Sequence, residues 1–141
     1  MSPLAYLNRR LIPENELSIS VFDVGFVQGV TISEQLRTFA GVLFSCDQHF
    51  ARLERSLQIV GISGIDLSAL KVAARDLVAQ NHKLIDPRDD LGLTIFVTPG
   101  QLNLNSASGP SAPTVGMHSR PLPFQNWFSK YSEGDQLGFF K

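Results

Sequence analysis

Apolar residues recur along this chain with two periods, and the change from one to the other outlines the fold. Between Val30 and Ala40 the period is two. Val30, Ile32, Leu36 and Thr38 fall on one side of an extended strand with Glu34 among them, and Thr31, Ser33, Gln35, Arg37 and Phe39 fall on the other. The first side reads as laid on a core and the second as the wet side. Gly41 interrupts the strand and Val42 to Ser45 resumes it. The period then becomes helical: Phe50, Leu53, Leu57 and Val60 make one stripe, which Gly61 closes. Ser45 and Gln48 have the spacing of a capping box, and Asp47 puts negative charge in the first turn.

The same reading covers the rest of the chain. Ile19, Val21 and Phe22 predict a short buried strand ending at Asp23, followed by a turn at Gly25, Gln28 and Gly29. Tyr6 to Leu17 predicts an edge hairpin or loop that turns at Pro13-Glu14-Asn15. Leu67, Leu70, Ala74, Leu77 and Val78 predict a second helix, capped by Ser63 or Asp66 and fading at Asn81-His82. Leu91 to Thr98 predicts a strand with Leu93, Ile95 and Val97 on one face, and Thr114 to His118 predicts another. Gln101 to Pro113 reads as a loop, and Arg120-Pro121-Leu122-Pro123 as an extended linker. The expected class is α+β. It is a two-layer sandwich in which a mainly antiparallel sheet (17–22, 30–39, 42–45, 91–98, 114–118) carries two helices on one face.

Composition narrows the function. With 141 residues there is room for one domain, or one domain and an incomplete second. A net charge of −1 argues against nucleic acid or an anionic membrane as the partner. Cys46 is the single cysteine, so neither an internal disulfide nor a cysteine-cluster metal site is expected. No export signal and no apolar span are legible, and the cytoplasm is the expected compartment.

The joint order of Asp23-x-Gly25-Phe26-x-x-Gly29, Glu34-x-x-Arg37, Gly41 and His49-x-x-Arg52-Leu53-x-x-Ser56 resembles the amino-terminal small domain of the class IV aminotransferases. These fold-type IV pyridoxal-phosphate enzymes include branched-chain and D-amino-acid aminotransferases and aminodeoxychorismate lyases. Tyr6-Leu7-Asn8 and Leu11-Ile12-Pro13 look like the family's first hairpin. The resemblance covers about the first hundred residues.

It implies amino-group transfer between an amino acid and a 2-oxo acid in a complete enzyme. It also implies that Arg52 binds the phosphate of pyridoxal phosphate, since a guanidinium offers a planar fork of donors to a dianion. Without the resemblance, Arg52 reads as an exposed helix arginine. The resemblance further implies that Ser33, Gln35 and Arg37, with Gln28 at the turn, line the substrate pocket. The family often has aromatic residues where Gln28 and Ser33 stand, which points to a wider, more polar pocket. Arg37 pairs either with a substrate carboxylate or with a structural acid such as Glu16 or Asp23. Glu34, on the apolar side, requires a backbone donor or an arginine. His49 is expected to support the loop or the helix start and not to touch the cofactor.

The family's Schiff-base lysine belongs to a second domain. Lys71, Lys83, Lys130 and Lys141 do not match its position, so no catalytic residue is assigned here. The expectation is a small domain over 1–119 and, over 120–141, an interdomain linker with the truncated start of a second domain. Alone, the chain is expected to be inactive and not to retain the cofactor; the alternatives are an aminodeoxychorismate-lyase-like parent enzyme and a non-catalytic stand-alone binding or interaction domain. Phe124, Trp127, Phe128, Phe139 and Phe140 make its end aromatic, and with the family's dimeric habit this implies a homodimer.

Overall fold

The computed structural model describes residues 2–102 and 112–139. The segment 103–111, within the expected loop, lies outside the described residues, as do Phe140 and Lys141. Six strands are β1 (Leu4–Leu7), β2 (Arg10–Pro13), β3 (Ile32–Phe39), β4 (Val42–Leu43), β5 (Leu91–Thr98) and β6 (Thr114–Pro121). They form one sheet in the order β2-β1-β6-β5-β3-β4, with every neighbouring pair antiparallel. Four α-helices are α1 (Val24–Val27), α2 (Cys46–Val60), α3 (Leu67–His82) and α4 (Phe124–Glu133).

Alternation along the strands decides which face is covered. Ile32, Glu34, Leu36 and Thr38 of β3 are buried, as are Leu91, Leu93, Ile95 and Val97 of β5. The register sets Ile95 opposite Met117 and Val97 opposite Val115, which continues the layer into β6. Onto it α2 lays Phe50, Leu53 and Leu57, and α3 lays Leu70, Ala74, Leu77 and Val78. The two-layer α+β expectation therefore holds, with α2 and α3 as its two helices.

Several local expectations need correction. Residues 17–22 form no strand: Ile19, Val21 and Phe22 stay exposed on a connection that leads into α1. The apolar triplet was too short to separate a strand from a surface turn. The amino-terminal hairpin turns at Asn8-Arg9, where both residues have positive φ, and not at Pro13-Glu14-Asn15, where Glu14–Glu16 makes a 3-10 turn. Asparagine tolerates that conformation, and here its side-chain oxygen also accepts from Val115 N at 2.9 Å.

The capping box at Ser45 does not form. Ser45 is left-handed and its side chain makes no cap, so its carbonyl alone receives the amides of Gln48 and His49. Val60 is exposed beyond the end of the stripe. The stop at Gly61 does hold: its N–H and that of Ile62 reach back to Leu57 O. Asp66 caps α3 by accepting from Ala69 N at 2.9 Å.

β6 runs to Pro121, into the expected linker, and α4 follows with no buried residue. Among the described residues no helix is long and apolar enough to cross a membrane.

Candidate functional site

Glu34 occupies the middle of β3 and faces the helices with only 3% of its surface exposed. A carboxylate there requires partners, and the first turns of α2 provide two. Arg52 Nε donates to Glu34 Oε2 at 2.9 Å, and Arg52 Nη2 donates to Oε1, which closes a two-toothed fork. His49 Nδ1 lies 2.6 Å from Glu34 Oε1. His49 and Arg52 share this side of α2 because they are three residues apart.

Burial pushes the Glu34 carboxyl up. The hydrogen bonds from Arg52 and His49, and their charges, outweigh that and hold it below the usual range. In return, the hydrogen bond and charge of Glu34 raise the Arg52 value and keep it cationic. The Arg52 side chain remains 60% exposed, so one edge of the guanidinium is fixed on Glu34 while the rest meets solvent.

The other sequence-assigned residues stand elsewhere. Ser33, Gln35 and Arg37 follow one another on the sheet face turned away from α2 and α3, and Gln28 is exposed at the end of α1. Arg37 takes a structural acid: its Nη2 lies 3.6 Å from Asp90 Oδ2, and its guanidinium lies over the Phe39 and Phe124 rings. Thus β3 separates Arg52 from the three pocket positions. On the outer edge of β3, β4 pairs with Thr38 and Phe39 alone and leaves 32–36 without a strand neighbour on that side among the described residues.

Sequence reasoning missed what surrounds this face. Cross-strand register puts Phe96 beside Ser33, and Thr94 beside Gln35 with His118 beyond it. Arg120, next on that face of β6, pairs with Glu14. The period-two pattern of β5 and β6 carried that signal, but pairing partners are not written in either strand. Asp90 was hidden in an acidic turn. It is fixed there by Thr38 Oγ1 at 2.7 Å and Gly41 N at 3.3 Å. The turn Asp23–Gly29 is held over the opposite end of β3, because Gly25 packs on Thr98 and Thr31 so closely that a Cβ would overlap Thr98.

The sequence and the fold have counterparts in known proteins. The chain is 33% identical over 96 residues to D-alanine aminotransferase of Bacillus licheniformis, across 67% of its own length and 32% of the relative's. It is 38% identical over 55 residues to aminodeoxychorismate lyase of Bacillus subtilis, across 39% of its own length and 19% of the relative's. The fold superposes on the PLP-bound form of a hypothetical aminotransferase from Mycobacterium tuberculosis with a TM-score of 0.76 at 18% identity. That match covers 91% of this chain and 43% of the other. The chain is a class IV aminotransferase-like domain. No family model matches it. It spans about a third of the length of the D-alanine aminotransferase and under half of the solved chain. Within this class IV-like domain, the matched fold is the small, sheet-and-helix part on which Glu34 and Arg52 stand.

Proposed function

We propose that this chain is the small domain of a pyridoxal-phosphate enzyme that transfers an amino group between an amino acid and a 2-oxo acid. The observation that carries this reading is Arg52, fixed along one edge by Glu34 at the open border of β3. The donor chemistry fits the cofactor's phosphate, because a permanently charged fork already oriented by a buried carboxylate loses little freedom on meeting a dianion. Pyridoxal phosphate, when bound, supplies an electrophilic carbon and an electron-withdrawing ring. In this reading Arg52, on the helix side of β3, would hold the cofactor's phosphate. Ser33, Gln35, Arg37 and Gln28 face the substrate from the other side, where their hydroxyl, amide and guanidinium groups favour a polar substrate.

The amine that the chemistry requires is assigned to a further domain. Lys71 is paired with Asp47, Lys130 with Asp135, and Lys83 follows the end of α3. Residues 1–119 are then the small domain and 120–141 lead out of it. Identity to an aminodeoxychorismate lyase supports a second reading, a lyase built on the same cofactor site. Exposed Phe128, Tyr131, Leu137 and Phe139 favour a two-fold dimer. A buried free thiol at Cys46 suits a reducing cytoplasm.

Titration of the chain with pyridoxal phosphate, read by protein fluorescence, tests the assignment. Weak binding that Arg52→Ala abolishes and Arg55→Ala leaves intact is the expected result. Equal effects of the two substitutions overturn it.

A further inference from the structure

We propose that the cleft between the amino-terminal hairpin and the start of α3 is a second ligand site, which takes an apolar α-amino acid. A cavity of about 710 Å³ opens there, with Tyr6, Asn8 and Arg9 on the hairpin side and Ile65, Asp66 and the first turns of α3 on the other. That volume suits a small molecule. Neither Arg52 nor any residue of β3 lines it, so the site stands apart from the cofactor reading.

Ile65, Leu70, Ala73 and Val115 give the cavity an apolar wall on which a side chain can be buried. Tyr6 belongs to the core, with 8% of its surface exposed, yet its hydroxyl bonds to no described residue. Among the described residues, the fully buried side-chain polar atom without a partner is His118 Nδ1. The Tyr6 hydroxyl is therefore not shut away, and it opens to the cavity that its residue lines. Asn8 Oδ1 accepts from Val115 N at 2.9 Å, which fixes the side-chain amide and leaves Nδ2 as a donor.

Charge completes the set. Arg9 and Asp66 line the same cavity, and among the described residues neither enters an ion pair, with the other or with a third group. Asp66 accepts from Ala69 N through Oδ1 and keeps Oδ2. An unpaired cation and an unpaired anion beside one apolar wall match a zwitterion. Its carboxylate meets Arg9, the Tyr6 hydroxyl and the Asn8 amide, its ammonium meets Asp66, and its side chain lies on the wall. A carboxylate or an amine alone leaves one of the two charges without a counter-ion.

L-Phenylalanine is the probe, and 3-phenylpropionate and phenethylamine present the same ring with one charge each. Amide chemical shifts of the 141-residue chain are followed as each is added. L-Phenylalanine should move the amides of 6–9, 64–73 and 115, and each one-charge analogue should bind several-fold more weakly. Arg9→Gln and Asp66→Asn should each weaken L-phenylalanine several-fold with little change in the urea midpoint, since asparagine still caps α3. Tyr6→Phe should weaken it while the ring stays in the core. Shifts confined to 33–37 belong to the substrate face and overturn this site, as does the absence of any shift. An analogue that binds as tightly as L-phenylalanine overturns the zwitterion assignment, and so does parent affinity in both Arg9→Gln and Asp66→Asn.

Discussion

Thr114 Oγ1 donates to Asp23 Oδ2 at 2.7 Å, joining two buried residues 91 positions apart. The other oxygen of Asp23 accepts from Gly25 N at 2.8 Å and starts α1. One carboxylate thus closes the turn that carries Gln28 and fastens it to the first residue of β6. Asp23→Ala leaves the Gly25 amide and the Thr114 hydroxyl without that partner. The expected destabilisation is about 1–3 kcal/mol, against about 0.5–1.5 kcal/mol for Thr114→Val. Urea unfolding of the three proteins checks both the size and the order.

Asn81 makes a comparable joint on the other side of the sheet. Its side-chain oxygen accepts from Leu4 N at 2.8 Å, and its nitrogen donates to Leu4 O at 2.7 Å and Ser119 Oγ at 2.9 Å. It therefore substitutes for a strand neighbour at the start of β1. Asn81→Leu keeps the volume approximately but strands both backbone groups of Leu4, and should cost about 1–3 kcal/mol. Hydrogen exchange should quicken in β1 and β2 more than in β5. A uniform change across the sheet would argue for general loosening instead.

The sequence carried what period and capping can carry. The two faces of β3, the stripes Phe50-Leu53-Leu57 and Leu70-Ala74-Leu77-Val78, the Asp66 cap and the Gly61 stop were legible because neighbours on one element decide them. The requirement that Glu34 find a partner was legible as well, since a charge on an apolar face is costly. What stayed hidden depends on contacts across the fold. The hairpin turned at Asn8-Arg9 because Val115 of β6 meets Asn8 there. Asn81 looked like a fading helix end because Leu4 and Ser119 lie 77 and 38 residues away. Arg37 met Asp90, an acid that belongs to neither of the segments named for it in the sequence.

Two groups tie stability to pH in the same direction. His118 stands on the open face of β6, and its Nδ1 is buried without a hydrogen-bond partner. Burial, then the charge of Arg120, lowers its value against a smaller opposite pull from Glu14. The unfolded chain therefore takes up this proton first, and stability is lost as the pH falls below about 6.5. Glu34 is also lowered, so its contribution is present above about 4.5 and disappears as the pH falls through its folded value. Urea midpoints followed from neutral pH downward should fall in two stages. His118→Gln should flatten the first and Glu34→Gln the second. If both variants keep the parent's profile, other carboxylates control acid unfolding.

Arg37 offers the most direct check on how the end of the described chain is held. Its guanidinium is 4.0 Å from the centre of the Phe39 ring and 5.2 Å from that of Phe124, with Asp90 behind it. Phe124 opens α4 and meets Trp127 edge-on at 5.8 Å. No residue of α4 is buried, so this arginine is a main link between the helix and the sheet. Trp127 is the single tryptophan, and its emission reports on that link. Arg37→Ala should shift the emission to longer wavelength and speed proteolysis between Leu122 and Glu133. Arg37→Lys should do so partly, because an ammonium keeps the charge but loses the planar stack on two rings. Global stability should change by less than about 1 kcal/mol, as expected for a partly exposed ion pair. Unchanged emission in Arg37→Ala would mean that α4 is held to the sheet by Leu122 and its backbone bond to Asp90, not by the arginine.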